Sequence, residues 1–217
     1  MIRIIAFDFE ASALVDGFPV SIGVARSDGA LYQALIKPHD DWLTAEFKWD
    51  PVAATMHGYS IERLRAEGTP PAQIVNEINV MFAGEMLVSD APALDTHWMR
   101  ELNYAAGGIA RFDVRRVGLD AVLTIIQDEV DMHGDARREI AKLRASMHTH
   151  HALSDAASWI AALEAVEAWA ADGRDLRAAV KAFQKWHERV ATRLAGMDVV
   201  REHDATLREL SKSNQRG

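Results

Sequence analysis

The first ninety residues alternate between apolar runs and turn residues, a pattern typical of a sheet-forming region. Residues 2–9 are almost continuously apolar, as expected of a strand that is buried on both faces. Two further strands are predicted at residues 20–25 and 31–36, and Asp28-Gly29 between them is a hairpin signal. Residues 40–58 show neither a strand nor a helix period, so we expect an irregular segment there.

Helical periodicity dominates the rest of the chain and is interrupted by two short strands. A helix is predicted to begin at Thr69-Pro70-Pro71, and a strand at residues 86–89 leads to a helix over residues 95–106. A last short strand is predicted at residues 114–117, and the remainder is predicted to be helical. Three consecutive strands followed by alternating helices and strands indicate an α/β fold, in which helices cover a mixed sheet.

The composition is that of a globular protein with a sizeable core, because 49% of the 217 residues are hydrophobic and 26% are charged. No window approaches the roughly 18 uncharged apolar residues of a membrane span. The early Asp8 and Glu10 are unlike a signal peptide, so a cytoplasmic protein without membrane contact is expected. The chain has no cysteine, so a bound metal would need Asp, Glu or His ligands, which favours Mg²⁺ or Mn²⁺.

The net charge of −8 is unevenly distributed along the chain. Residues 1–173 carry a net charge of −12, whereas residues 174–217 carry 10 Lys and Arg against 6 Asp and Glu. A nucleic-acid partner is therefore not excluded, because the distribution of charge matters more than its sum.

The basic tail predicts an amphipathic helix. Basic residues recur at three- and four-residue steps on one side: Arg174, Arg177, Lys181, Lys185, Arg189 and Arg193. Apolar positions recur on the other side: Leu176, Val180, Phe183, His187, Val190 and Leu194. Such a helix either docks its apolar side and leaves its basic side in water, or follows the phosphates of a nucleic acid. Residues beyond Met197 are polar and are expected to fray.

Asp8 and Glu10 stand at the end of the first predicted strand. Side chains two residues apart on a strand point to the same face, so these carboxylates lie side by side. Two close negative charges are costly unless a cation binds them, which makes the pair a candidate metal site. The alternative is an exposed strand end at which water solvates both acids.

Asp95, with Asp90 nearby, follows the strand predicted at residues 86–89. That strand brings the chain to the rim of the sheet, and Asp95 falls in the first turn of the next helix. It is either a site residue or a helix-capping aspartate with a favourable position in the helix dipole.

Three histidines, His148, His150 and His151, crowd together before an Ala-rich helix. A neutral imidazole can take a proton from water, while Asp155, one turn further on, holds a metal. Alternatively, the histidines form a polar loop and Ser154 or Asp155 is the N-cap of the helix.

Together these residues resemble the motifs of the DEDDh 3′–5′ exonucleases, which include proofreading subunits and oligoribonucleases and use four acids and one histidine. Phe7-Asp8-Phe9-Glu10-Ala11-Ser12 is similar to the first motif of the family. His150-His151-Ala152-Leu153-Ser154-Asp155-Ala156 is similar to the third, and its spacing selects His150. Trp49-Asp50-Pro51 followed by His57-Gly58-Tyr59 resembles the segment before the family's first long helix. In the middle motif the family usually has His-Asn-Ala, where this chain has Ser89-Asp90-Ala91.

The resemblance implies a ribonuclease-H-like fold, a five-stranded mixed sheet flanked by helices. It covers an exonuclease domain of residues 1–172, followed by a helical C-terminal extension of residues 173–217. The implied reaction uses two divalent cations, Mg²⁺ or Mn²⁺, to release nucleoside 5′-monophosphates from the 3′ end of a nucleic acid, expected to be single-stranded. The implied metal ligands are Asp8, Glu10, Asp95 and Asp155; the proton acceptor is His150; and the substrate-binding residues are Ala11, Ser12, His57 and Gly58.

Two other functions stay open at this point. A nuclease fold could bind a nucleic acid or a partner protein without cutting it. His148 and His150 could instead be paired nitrogen ligands of a zinc hydrolase. Likewise, Trp42, Trp49 and Tyr59 either stack on bases or pack in the core.

Overall fold

The computed structural model describes residues 3–44 and 47–214, with side chains described as far as residue 196. In this part of the chain the elements are five strands, a 3₁₀ helix (Asp40–Leu43) and eight α-helices. The strands are β1 (Ile5–Ala11), β2 (Pro19–Arg26), β3 (Leu31–Leu35), β4 (Met86–Val88) and β5 (Asp113–Val114). The helices are α1 (Pro51–His57), α2 (Ile61–Glu67), α3 (Pro71–Phe82), α4 (Pro92–Ala105), α5 (Leu119–Glu129), α6 (Gly134–Met147), α7 (Ala152–Ala171) and α8 (Leu176–Asn214).

The strands form one mixed sheet in the order β3-β2-β1-β4-β5. β1 pairs antiparallel with β2 and parallel with β4, while β2–β3 is antiparallel and β4–β5 is parallel. β1 occupies the centre because its apolar residues serve both faces: Ile5 and Phe7 join one buried cluster, and Ala6 joins the other. The predicted five-stranded mixed sheet is confirmed.

Helices cover both faces of this sheet. On one face, Ile74 and Ile78 of α3 and Leu102 of α4 pack in the cluster that contains Phe7. On the other face, α7 lies across β1 and β2, and α5, α6 and α8 pack around α7. None of the helices described here is long and apolar enough to cross a membrane. The expected cytoplasmic location stays a prediction.

A glycine allows α7 to approach the sheet. Gly23 of β2 is the register partner of Asp8. A Cβ atom at Gly23 would lie 2.1 Å from the backbone nitrogen of Leu153 and 2.2 Å from the carbonyl carbon of Ala152. Backbone atoms at that distance cannot move aside as a flexible side chain can. The first turn of α7 therefore rests directly on β2, beside the strand that carries Asp8.

Two predicted boundaries are wrong. Residues 40–58 are not irregular throughout, because they contain the 3₁₀ helix and α1. The Asp50 carboxylate caps α1 by accepting a 2.8 Å hydrogen bond from the Val52 backbone N–H, and Gly58 ends the helix at φ 72°. The helix expected over residues 95–106 begins at Pro92, because proline is favourable in the first turn.

The C-terminal helix docks its apolar side on α7. Phe183, Trp186 and Val190 are buried in the cluster that includes α7, whereas His187 is exposed. The expectation that His187 lies on the apolar side is wrong, because Trp186 fills that position. α8 continues to Asn214, and the expected fraying after Met197 stays a prediction. The division into domains at residue 172 stays a prediction.

Candidate active site

Asp8 lies at the centre of an acidic cluster. One oxygen from each of Asp8, Glu10 and Asp155 can be chosen so that all three lie within 4.8 Å of one another. The same holds for Asp8, Asp90 and Asp95. The structure thus brings together the four acids predicted from the sequence, which come from β1, α4 and α7. It adds Asp90, which the sequence analysis noted but did not place among the metal ligands.

Asp95 lies beside Asp8, where the parallel strands β1 and β4 separate. It lies in the first turn of α4, where a negative charge is favourable in the helix dipole, as predicted, but it does not cap the helix, because the N-cap is Ala91. Its carboxylate accepts hydrogen bonds from the Ser89 hydroxyl and from the backbone N–H of Phe9. β4 pairs with β1 only as far as Val88, which leaves the Phe9 N–H available to Asp95.

Asp155 lies in the first turn of α7, which begins at Ala152. Neither Ser154 nor Asp155 is the N-cap, because that position belongs to His151. One Asp155 oxygen accepts a 2.9 Å hydrogen bond from the Thr149 backbone N–H. This bond across the turn before α7 directs the carboxylate toward β1.

The turn between α6 and α7 carries the two remaining histidines. His148 ends α6, and its Nδ1 lies 3.2 Å from the second oxygen of Asp155. His150 adopts φ 53°, a left-handed conformation that histidine accepts more readily than most residues. Its ring centroid lies 4.7 Å from that of His148. The reversal of the chain therefore puts both rings on the same side of the turn.

Burial and mutual repulsion raise the pKa of the four predicted acids. Burial, followed by the charges of Asp155 and Asp95, raises the pKa of Glu10 to about 8. Burial raises the pKa of Asp95 to about 7. Burial and the neighbouring carboxylates raise the pKa of Asp8 well above its usual range, and burial also raises the pKa of Asp155. Such a cluster fits divalent cations, whose charge would replace the protons.

A cleft of about 310 Å³ opens beside the acidic cluster. Asp8, Glu10, Asp95 and His150 line one part of it. Another part of its lining consists of large apolar side chains that are exposed to solvent: Leu14, Val52, Met56 and Leu94. The cleft therefore combines an acidic end, which suits a divalent cation, with an apolar wall.

His57 lines the same cleft and has a buried ring nitrogen without a hydrogen-bond partner among the described residues. The residue is only 8% exposed, and its Nδ1 accepts a 3.1 Å hydrogen bond from the Tyr59 backbone N–H. Burial lowers the pKa of His57 to about 4, so the ring is neutral and carries its proton on Nε2. Among the side chains that the structure describes, none accepts a hydrogen bond from this nitrogen.

The other predicted substrate-binding residues have different positions. Ala11 lines the cleft, whereas Ser12 is buried and does not. The Ser12 hydroxyl donates a 2.7 Å hydrogen bond to the Lys48 carbonyl and accepts one of 2.8 Å from the Phe18 N–H. Gly58 ends α1 and so sets the position of the loop after His57. Ser12 and Gly58 thus support the loops behind the cleft.

Two of the three aromatic residues considered for base stacking pack in the core. Trp42 is buried and stacks on Phe18 at 5.7 Å, and Tyr59 is buried and stacks on His57 at 5.1 Å. Trp49 is partly buried against the same cluster. Packing is therefore the role that the structure assigns to Trp42 and Tyr59.

Comparison with known proteins identifies the fold. No family model and no curated protein sequence matches the chain. Among solved structures, exonuclease I from Methylocaldum szegediense has a TM-score of 0.54 at 18% identity, covering 75% of this chain and 40% of that one. E. coli exonuclease I in complex with a dA16 oligonucleotide has a TM-score of 0.52 at 16% identity, covering 83% and 43%. The zinc-ion-bound form of the E. coli exonuclease I–ssDNA complex has 0.51 at 17%, covering 73% and 39%.

The chain therefore has the ribonuclease-H-like fold of exonuclease I, as expected from the resemblance. It spans about two fifths of the length of these structures. At 16–18% identity, this likeness shows the fold alone.

Proposed function

We propose that this protein is a metal-dependent 3′–5′ exonuclease that releases nucleoside 5′-monophosphates from a single-stranded nucleic acid. The observation that carries the proposal is the position of Asp8, which belongs to two separate groups of carboxylates. Two adjacent groups that share one acid are the arrangement that a two-cation phosphodiester hydrolase needs.

The acids present fit two hard cations. Asp8, Glu10 and Asp155 would hold one, and Asp8, Asp90 and Asp95 would hold the other. All the donors are oxygen atoms, which Mg²⁺ and Mn²⁺ prefer. When bound, the two cations would supply an activated water and would neutralise charge on the scissile phosphate and the leaving oxygen.

His150 is the proposed proton acceptor. Its ring lines the cleft together with Asp8 and Glu10, so it stands next to the site of attack. A neutral imidazole takes the proton from the attacking water, and the turn conformation at His150 keeps the ring close to Asp155.

The lining of the cleft favours a nucleotide as the substrate. The exposed side chains of Leu14 and Met56 offer an apolar surface to a base, and burying them against a base removes apolar area from water. His57 lines the same cleft, and its neutral ring would lie beside the terminal nucleotide. The neighbouring structures include exonuclease I with single-stranded DNA, which supports the same class of substrate.

The test is digestion of 5′-labelled single-stranded and double-stranded DNA and RNA oligomers with Mg²⁺ or Mn²⁺. We expect stepwise shortening from the 3′ end and release of 5′-monophosphates. Asp8→Asn should abolish the activity, whereas Asp113→Asn, at an exposed aspartate on β5, should retain it. Activity that persists in Asp8→Asn would refute the mechanism. Stabilisation by metal without hydrolysis of any oligomer would favour the non-cleaving alternative.

A further inference from the structure

His148, His150 and Asp155 form a third group of possible metal ligands, separate in its chemistry from the two acidic groups. One donor atom from each lies within 4.8 Å of the others. Two donors are imidazole nitrogens and one is a carboxylate oxygen. This set suits Zn²⁺ and similar transition metals, whereas Mg²⁺ prefers an all-oxygen site.

The distances are close to those of a tetrahedral zinc site. Ligands about 2.0–2.1 Å from a tetrahedral zinc ion lie roughly 3.3 Å from one another. The His148 Nδ1 and the Asp155 oxygen are already 3.2 Å apart. One ring nitrogen of His150 lies within 4.8 Å of a donor atom of each of the other two residues.

The backbone supports this arrangement before any ion arrives. The Thr149 N–H occupies one Asp155 oxygen, so the other oxygen faces His148. The turn is fixed at both ends, because α6 and α7 pack in the same buried cluster. The side chain of His148 is 47% exposed, which gives an ion a route from solvent.

We propose that His148, His150 and Asp155 form an inhibitory zinc site that overlaps the catalytic centre. Zinc binding does not depend on the proposed function, but its inhibitory effect rests on that function. A zinc ion there occupies the ring nitrogen of His150 and an oxygen of Asp155. His150 can then no longer accept a proton, and Asp155 no longer completes its acidic group. Transition-metal availability would in this way regulate the nuclease.

The binding test uses the 217-residue chain freed of metal with a chelator, without any nucleic acid. Calorimetric titration with Zn²⁺ and the visible absorption of Co²⁺ report the site directly. We expect His148→Ala and His148→Gln to weaken zinc binding about tenfold or more, because loss of a ligand exceeds the effect of outer-shell changes. His133→Ala is the matched control. His133 also forms an ion pair with an aspartate, Asp131, at 2.7 Å, but that pair contains one histidine where the proposed zinc site has two.

Asp8→Asn distinguishes zinc binding at the histidine-containing site from zinc binding at the two acidic groups. Asp8 belongs to both acidic groups but not to the group of His148, His150 and Asp155. The variant should retain the zinc-dependent signals. Equal zinc affinity in wild type and both His148 variants, or loss of the signals in Asp8→Asn, would overturn the proposal.

Inhibition is measured separately, as Mg²⁺-dependent digestion with increasing Zn²⁺. We expect His148→Ala to need at least about ten times more zinc than wild type for half inhibition. The same half-inhibition concentration in both would refute the regulatory role, even if zinc binds. If the protein digests no oligomer, the proposed function fails, while the calorimetric result still decides whether the zinc site exists.

Discussion

The raised pKa of Glu10 has a measurable effect on stability when no metal is bound. In the unfolded chain Glu10 loses its proton near its ordinary value of 4.5, whereas in the folded protein it keeps the proton up to about pH 8. Above pH 4.5 the folded state therefore binds more protons than the unfolded state. The stability present below pH 4.5 is progressively lost as the pH rises to 8.

The size of this loss follows from the two pKa values. For a fully enclosed carboxyl, the change between pH 5 and pH 8 is about 3–4 kcal/mol, at 1.36 kcal/mol per pH unit. Glu10 is partly exposed, so screening by solvent reduces the figure to about 2 kcal/mol. In a chain of 217 residues this corresponds to a shift of about 4–8 °C in the melting temperature.

The perturbation is Glu10→Gln, which removes the charge and keeps the shape. Melting temperatures are measured by scanning calorimetry at pH 5 and pH 8 with a chelator present. We expect the variant to melt about 4–8 °C above wild type at pH 8, to differ much less at pH 5 and to lose activity. Glu62→Gln, at an exposed glutamate of α2, is the control. The same difference from wild type at both pH values would refute the reasoning.

Three further perturbations test the fold and the cleft. Gly23→Ala should destabilise the protein by about 1–3 kcal/mol in urea unfolding and lower activity, because a Cβ there pushes the start of α7 off β2. His57→Phe should raise KM for an oligonucleotide in steady-state assays, and an unchanged KM would contradict a role in substrate binding. The variant should also lose about 1–3 kcal/mol of stability, because the Tyr59 N–H loses its acceptor. Trp186→Ala should cost about 3–5 kcal/mol of unfolding free energy by calorimetry, and a smaller loss would contradict its place in the core.

The sequence predicted the elements of the sheet well, because their signals are local. β1 and the β2–β3 hairpin follow from an apolar run and from Asp28-Gly29, and their observed ends differ from the predicted ones by only a few residues. α1 was missed although Asp50-Pro51 and Gly58 are ordinary start and stop signals. Its seven residues are too few to establish a helical period.

The candidate site depends on contacts between distant parts of the chain, which no local pattern describes. The resemblance named Asp8, Glu10, Asp95 and Asp155, and the structure brings them together. Asp90 joins them only because β4 ends at the same edge of the sheet as β1. A clue to it was available, since an acid at the end of a strand parallel to β1 has to emerge near Asp8.

The docking of α8 has a consequence for how this protein can be dissected. Phe183, Trp186 and Val190 cover the outer side of α7, whose inner side carries Asp155 toward β1. A chain cut after residue 172 would leave that outer side bare to water, although every proposed ligand would still be encoded. The extension therefore acts as a structural brace for Asp155, and a fragment that keeps α7 packed has to extend at least to Val190.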